Sequence, residues 1–197
     1  GPKAANPKLN VIVLMGDGDG TTIGGNHLIH TARRNMDLTA IIVNNLNYGM
    51  TGGQYSATTP TGAITSTSVG GNPERGFDVC DLVRAAGANF VARESVASGM
   101  RLKSRILAGI QKKGFSLIVA MSPCTTLFGP RDQMKNPVTM LRSLKERGVS
   151  QAKFDSIENA ARQGYFVTGV MADNSDPDFL TSYEAQRAAI IAAKGGK

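Results

Sequence analysis

Apolar residues fall in short runs separated by polar, glycine-rich stretches, and the spacing inside each run predicts its element. Residues 9–15 are apolar and rich in β-branched side chains, and read as a buried strand. Gly16, Gly18 and Gly20 stop it. Residues 23–34 carry Ile23, His27 and His30 at helical spacing over about three turns, with Asn35 as a natural end. Residues 39–44 read as a second buried strand. Strand, glycine-rich turn, helix and strand make a βαβ unit, which implies parallel strands and a right-handed crossover.

The stretch 48–73 is polar and full of Gly, Thr and Ser. Loops of that length inside a compact domain are usually functional. Beyond it, residues 78–86 predict a helix, 89–92 a short strand and 96–113 an amphipathic helix. Residues 115–121 predict another buried strand, which ends at Ser122-Pro123-Cys124. Residues 137–147 predict a helix with proline in its first turn. Residues 154–163 predict a further helix, 165–171 a late strand and 176–193 a last helix. The order predicts an α/β fold: an open, mostly parallel sheet with helices on both faces. The 197 residues suit a single domain over 1–197.

Composition narrows the class. No apolar run reaches the roughly 18 residues of a membrane span, and the first residues lack a basic-then-apolar leader pattern. A cytoplasmic protein without a membrane partner is expected. The net charge of +7 suits a phosphorylated ligand, nucleic acid or an acidic protein. The basic residues are scattered, however, as at Arg33-Arg34 and Lys112-Lys113, and no nucleic-acid module contains them. No nucleic-acid partner is expected. Cys80 and Cys124 are the only cysteines, too few for a disulfide scaffold or a four-cysteine metal site.

The chemistry concentrates at Gly16-Asp17-Gly18-Asp19-Gly20, at the carboxyl end of the first strand. In open α/β sheets that edge binds ligands. Glycine lets the backbone approach a ligand, and the helix start that follows offers N–H groups to an anion. An aspartate beside an anion calls for a cation between them, and magnesium bridging carboxylate and phosphate oxygens meets that need. A dinucleotide fingerprint fails because Thr21 stands where its third glycine belongs. A calcium loop counted from Asp17 fails at Thr22 and Leu28, where it needs glycine and glutamate. The second half of the site is Asn44-Asn45-Leu46-Asn47, at the end of the next strand. Carboxylate, amide oxygen and backbone carbonyl make a hard oxygen set for magnesium. The bland alternative is that these asparagines only form turns.

A Gly-Asp-Gly, a helix and a strand ending in Asn-Asn resembles the thiamine-diphosphate motif. Two blocks, GDGDGTTIGGNHLIH from Gly16 to His30 and NNLNYGMTGGQYSATTP from Asn44 to Pro60, resemble the β subunit of 2-oxoacid:ferredoxin oxidoreductases. The likeness continues through Phe90-Val91-Ala92-Arg93 and Ser122-Pro123-Cys124, and thins after about residue 150. The resemblance implies the pyrophosphate-type domain of the thiamine-diphosphate fold. It also implies oxidative decarboxylation of a 2-oxoacid to an acyl-coenzyme A, with electrons passed to ferredoxin. Asp17 and Asn45 would be side-chain magnesium ligands, and Asn47 would give a backbone carbonyl. Gly16, Gly18 and Asp19 would lie along the cofactor, with Tyr48, Gly49, Met50 and Thr51 near its reacting end. The activating glutamate would come from an α subunit carrying the pyrimidine-type domain. Tyr48-Gly49-Met50-Thr51 resembles the 2-oxoglutarate branch; a pyruvate-type enzyme and a non-redox decarboxylase or carboligase are the alternatives.

In that family four cysteines hold a [4Fe–4S] cluster, and Cys124 resembles the fourth. The other three would lie upstream of the motif, where this chain has no cysteine. The expectation is a natural N-terminal segment that carries them; a cluster borrowed across an interface, or none, are the other possibilities. Cys80, among Val79, Leu82 and Val83, reads as a buried structural cysteine. His27 and His30 suit packing or a supporting role better than a metal, Arg93 is a phosphate or coenzyme A contact or a plain surface or interface residue, and Arg131 and Asp132 are candidates for shaping the cluster region or a subunit contact.

Overall fold

The computed structural model describes residues 1–131 and 136–195. Its strands are β1 (Ile12–Gly16), β2 (Thr39–Asn44), β3 (Phe90–Ser95), β4 (Ser116–Met121), β5 (Gly148–Val149), β6 (Phe166–Val167) and β7 (Gly169–Asp173). One five-stranded sheet has the order β1-β2-β4-β3-β7, and β5 and β6 form a separate pair. All neighbours in the large sheet are parallel except β3 and β7. Gly16 pairs with Val43, and Asn44 with Met121, so the carboxyl ends of β1, β2 and β4 reach the same edge.

Both faces are covered, as alternation along the strands requires. On one face Ala40, Ile42, Val91, Leu117 and Val119 pack with Leu28 and Ala32 of the helix Gly25–Arg33 and with Val79, Cys80 and Val83 of the helix Val79–Ala85. On the other, Phe90, Ala92 and Ile118 meet Leu102 and Ile106 of the helix Gly99–Gln111. The Val79–Ala85 helix starts where Asp78 accepts N–H bonds from Cys80 (3.0 Å) and Asp81 (3.2 Å). Cys80 is fully buried, and burial pushes its thiol up to about 12, which makes it an inert packing group.

Several expectations are corrected. The strand read as buried over 9–15 is β1, and it lies at the sheet edge. Only β2 pairs with it, so Ile12, Val13 and Leu14 remain exposed. The helix expected over 23–34 is preceded by a π-helical turn, Gly18–Ile23. The helix expected over 154–163 is instead a short one at Gln151–Ser156 and a 3-10 turn at Asn159–Ala161. The late strand splits at Thr168 into β6 and β7, where Gly169 takes a positive φ of 117°. Arg93 is not a surface residue: it is buried, donates to the Val167 carbonyl (2.7 Å) and pairs with Asp78 (3.0 Å).

At the opposite, amino edge of the sheet, Asp37 gathers Lys3 (2.9 Å), Lys113 (2.7 Å) and the Gly114 N–H (3.1 Å). Burial alone would raise its carboxyl, but the bonds from Lys113 and Lys3 hold it below the ordinary 3.8. A depressed acid adds stability that is present above its unfolded pKa and is lost as pH falls through the folded value. Asp37→Asn should therefore cost about 1–2 kcal/mol at neutral pH. Denaturant melts from pH 7 to 3 should show the gap closing below 3.8. A gap that persists in acid would mean that packing, not charge, holds this corner.

Candidate cofactor site at the carboxyl edge

Asp17 follows β1 directly, its side chain 1% exposed. One oxygen accepts the Asn45 N–H at 3.3 Å, joining the ends of β1 and β2. The other accepts from the hydroxyls of Ser56, through a short bond, and Thr58 at 2.7 Å. Burial pushes the Asp17 carboxyl up from 3.8, against the lowering effect of Ser56, Thr58 and Asn45. A buried carboxylate held by three donors, with no cationic side chain bonded to it among the described residues, suits a metal ion.

The turn after β2 is built by its own side chains. The Asn44 side-chain oxygen accepts the Leu46 N–H (3.1 Å) and lies 3.0 Å from the Thr58 hydroxyl, whose hydrogen goes to Asp17. The Asn45 oxygen accepts the Asn47 N–H (3.3 Å). These bonds hold Leu46 at a φ of 66°, a left-handed conformation that disfavours a branched apolar residue. Thr59 fixes the same residue by donating to its carbonyl at 2.6 Å. The turn therefore sets the Asn45 backbone beside Asp17, and the Asn44 and Asn45 side chains build the turn itself.

Tyr48 lies across Gly18 and donates to its carbonyl at 3.1 Å. A Cβ at residue 18 would land inside the Tyr48 ring, so only glycine permits this stacking. Tyr48 and Gln54 then close a tight loop, with Tyr48 N–H to the Gln54 carbonyl at 2.9 Å. Thr51 donates to the Gln54 side chain at 2.8 Å, Gly49 is half-buried, and Met50 at the tip is 99% exposed. Gly16 and Gly18 line the approach to Asp17. Asp19 turns away from it: its carboxylate accepts the Gly16 N–H (3.2 Å) and borders an apolar groove with His27 and Leu28.

Cys124 sits just past β4. Its sulfur accepts the Phe128 N–H (3.4 Å) and lies 3.8 Å from the Thr126 hydroxyl. Burial would raise the thiol, but the N–H groups of Phe128, Leu127 and Thr126 bring it below 9.0. Donors around the sulfur favour its ionised form. Arg131 donates to the Gly53 carbonyl at 3.1 Å and Leu127 packs beneath Gly53, so the Cys124 segment underlies the Tyr48 loop. Asp132 lies outside the described residues. Among those described, no three His, Cys, Asp or Glu side chains form a metal cluster, and His27 and His30 have no third ligand. No described helix is long and apolar enough to cross a membrane.

Ser56, Thr58 and Thr59 have no assigned role in the sequence reading, although they lie within the block 44–60. Nothing adjacent to them in sequence marks a partner, so only the folded loop shows that two of these hydroxyls reach Asp17.

A carboxylate and two asparagines stand at adjoining strand ends, with glycines in the backbone beside the carboxylate. Residues 1–120 match the thiamine pyrophosphate enzymes' C-terminal TPP binding domain, and the chain belongs to this family. Its relatives narrow the branch to β subunits of 2-oxoacid:ferredoxin oxidoreductases. The chain is 46% identical over 178 residues to 2-oxoglutarate synthase subunit KorB of Methanothermobacter marburgensis, covering 90% of this chain and 62% of that one. It is 43% identical over 180 residues to the Methanocaldococcus jannaschii subunit of the same name, covering 91% and 67%. The fold superposes with a TM-score of 0.81, at 26% identity, on 2-oxoglutarate:ferredoxin oxidoreductase from Magnetococcus marinus with 2-oxoglutarate, coenzyme A and succinyl-CoA bound, over 96% of this chain and 65% of that one. The chain thus spans about 62% of the first of these relatives.

Proposed function

We propose that this chain is the cofactor-holding part of the β subunit of a 2-oxoglutarate:ferredoxin oxidoreductase, which converts 2-oxoglutarate and coenzyme A to an acyl-coenzyme A and reduces ferredoxin. The observation that carries it is the buried Asp17 carboxylate bonded to the Asn45 turn, in a chain whose relatives bear that enzyme's name. Asp17, the Asn45 amide oxygen and the Asn47 backbone carbonyl would hold Mg2+ against the diphosphate. Gly16 and Gly18 would lie along the tail, Gly18 beneath the Tyr48 ring, and Asp19 keeps the turn closed through the Gly16 N–H. Tyr48, Gly49, Met50 and Thr51 would border the reacting end. Bound thiamine diphosphate supplies the electron sink for decarboxylation. No general base is assigned to this chain; the activating glutamate would come from an α subunit.

Cys124 would be one ligand of a [4Fe–4S] cluster beside the Tyr48 loop, supported by the N–H groups around its sulfur. Cys80, buried in the core, would not contribute, and the remaining thiolates would come from elsewhere in the complex. The place of Cys124 under the loop suits removal of electrons close to where they are released.

The test uses the complex purified without oxygen. Ferredoxin reduction should require coenzyme A and proceed with 2-oxoglutarate far faster than with pyruvate. A preference for pyruvate would overturn the substrate, and no reduction with either acid, or no bound iron, would overturn the redox reading.

A further inference from the structure

Asn47 is 3% exposed, yet neither its Nδ2 nor its Oδ1 has a hydrogen-bond partner. Among the described residues it is the only side chain with both polar atoms buried and unpaired. Its neighbours differ: the amide oxygens of Asn44 and Asn45 are both used within the turn. Burying an unpaired amide costs stability, and an apolar side chain of the same size would avoid that cost. A Cβ on Gly49 would lie at ordinary contact distance from Asn45 Nδ2 (3.4 Å) and Asn47 Oδ1 (3.9 Å), so both amides reach the side of the turn where Gly49 stands, and a half-turn of the Asn47 amide exchanges its Oδ1 and Nδ2.

We infer that the Asn47 side chain, and not only its backbone carbonyl, binds the anionic tail of the cofactor: its Nδ2 donates to an oxygen of the diphosphate. This rests on the cofactor reading above. Carbonyl and amide of one residue then engage the same head from two sides, the carbonyl on the cation and the amide on the anion. The amide that has no protein partner would be satisfied by the ligand, so stability of the cofactor-stripped protein and affinity for the ligand trade against each other at this residue.

The experiment uses the whole complex stripped of cofactor, with Asn47→Ala and the isosteric Asn47→Asp. Three quantities are read: the melting temperature of the stripped complex, the Kd of thiamine diphosphate with Mg2+, and the Kd of inorganic pyrophosphate with Mg2+. Asn47→Ala should melt no lower than the parent while both dissociation constants rise roughly tenfold, the scale of one hydrogen bond to a charged group. Asn47→Asp should lose more, because a carboxylate opposes the phosphate oxygens. Dissociation constants within twofold of the parent, or a loss of affinity that merely follows a lower melting temperature, would overturn the inference. If the parent does not bind either ligand, or Asp17→Asn binds both unchanged, the cofactor reading itself fails. If the parent binds, Asp17→Asn does not, and Asn47→Ala binds normally, only the present inference fails.

Discussion

Asp17→Asn should weaken magnesium-dependent binding of thiamine diphosphate by roughly 100-fold or more, beyond the loss typical of a residue that only supports a metal ligand. The asparagine keeps one oxygen to accept from Ser56 and Thr58, but its amide nitrogen then faces the Asn45 N–H, so the bond joining the two strand ends is lost. What it lacks is the charge that draws a hard cation. Titration of the stripped complex with cofactor at fixed Mg2+ measures the loss, and ferredoxin reduction should fall with it. Stability should move the other way. Because burial raises the Asp17 pKa, the empty fold is most favoured while this group is protonated, and stability is lost as pH rises through the raised value. The neutral variant does not share that loss. Its melting temperature should gain on the parent between about pH 4 and 7. Binding by the variant at parental affinity would remove Asp17 from the metal site, and a parallel pH profile would refute the burial argument.

The second large effect is expected from Ser56→Ala with Thr58→Val. Both hydroxyls donate to the same Asp17 oxygen and counter the effect of burial. Without them the carboxyl rises further and is less ionised at a given pH. Cofactor affinity near neutrality should drop by roughly 10- to 100-fold, given the strength of hydrogen bonds to charged groups. The loss should shrink as pH is raised, because alkali restores the ionised form. Thr59→Val is the control, since its hydroxyl holds the Leu46 carbonyl and not the carboxylate. It should loosen the turn and lower affinity without moving the pH midpoint. A double variant with an unshifted pH dependence would show that the hydroxyls only shape the loop.

Elements whose burial is settled by neighbours in the chain were legible. β2 and the helix Pro137–Arg147 match their expected limits, because a continuous β-branched run and a proline at the first turn are local signals. β1 was legible as a strand and misread as buried. Its composition states that it is apolar, but only the strand order places it at an edge. Arg93 was open to two readings because nothing adjacent in sequence marks a partner; Asp78 and Val167 reach it through the fold.

The same division runs through the site. Asp17, Asn45 and Asn47 are carried by motif letters at the ends of predicted strands, so the class and the proposed metal ligands come from the sequence and its resemblance. The sequence by itself determined which chemistry the carboxyl edge offers: oxygen ligands, glycine-opened backbone and a lone cysteine after a strand. The tertiary structure decided how those groups are held. Ser56 and Thr58 come to Asp17 from 39 and 41 positions away. Arg131 reaches Gly53 across 78 positions, setting Cys124 beneath the Tyr48 loop. Such contacts join residues with no shared period, so only a closed chain, with its backbone fixed by the parallel sheet, can bring them together.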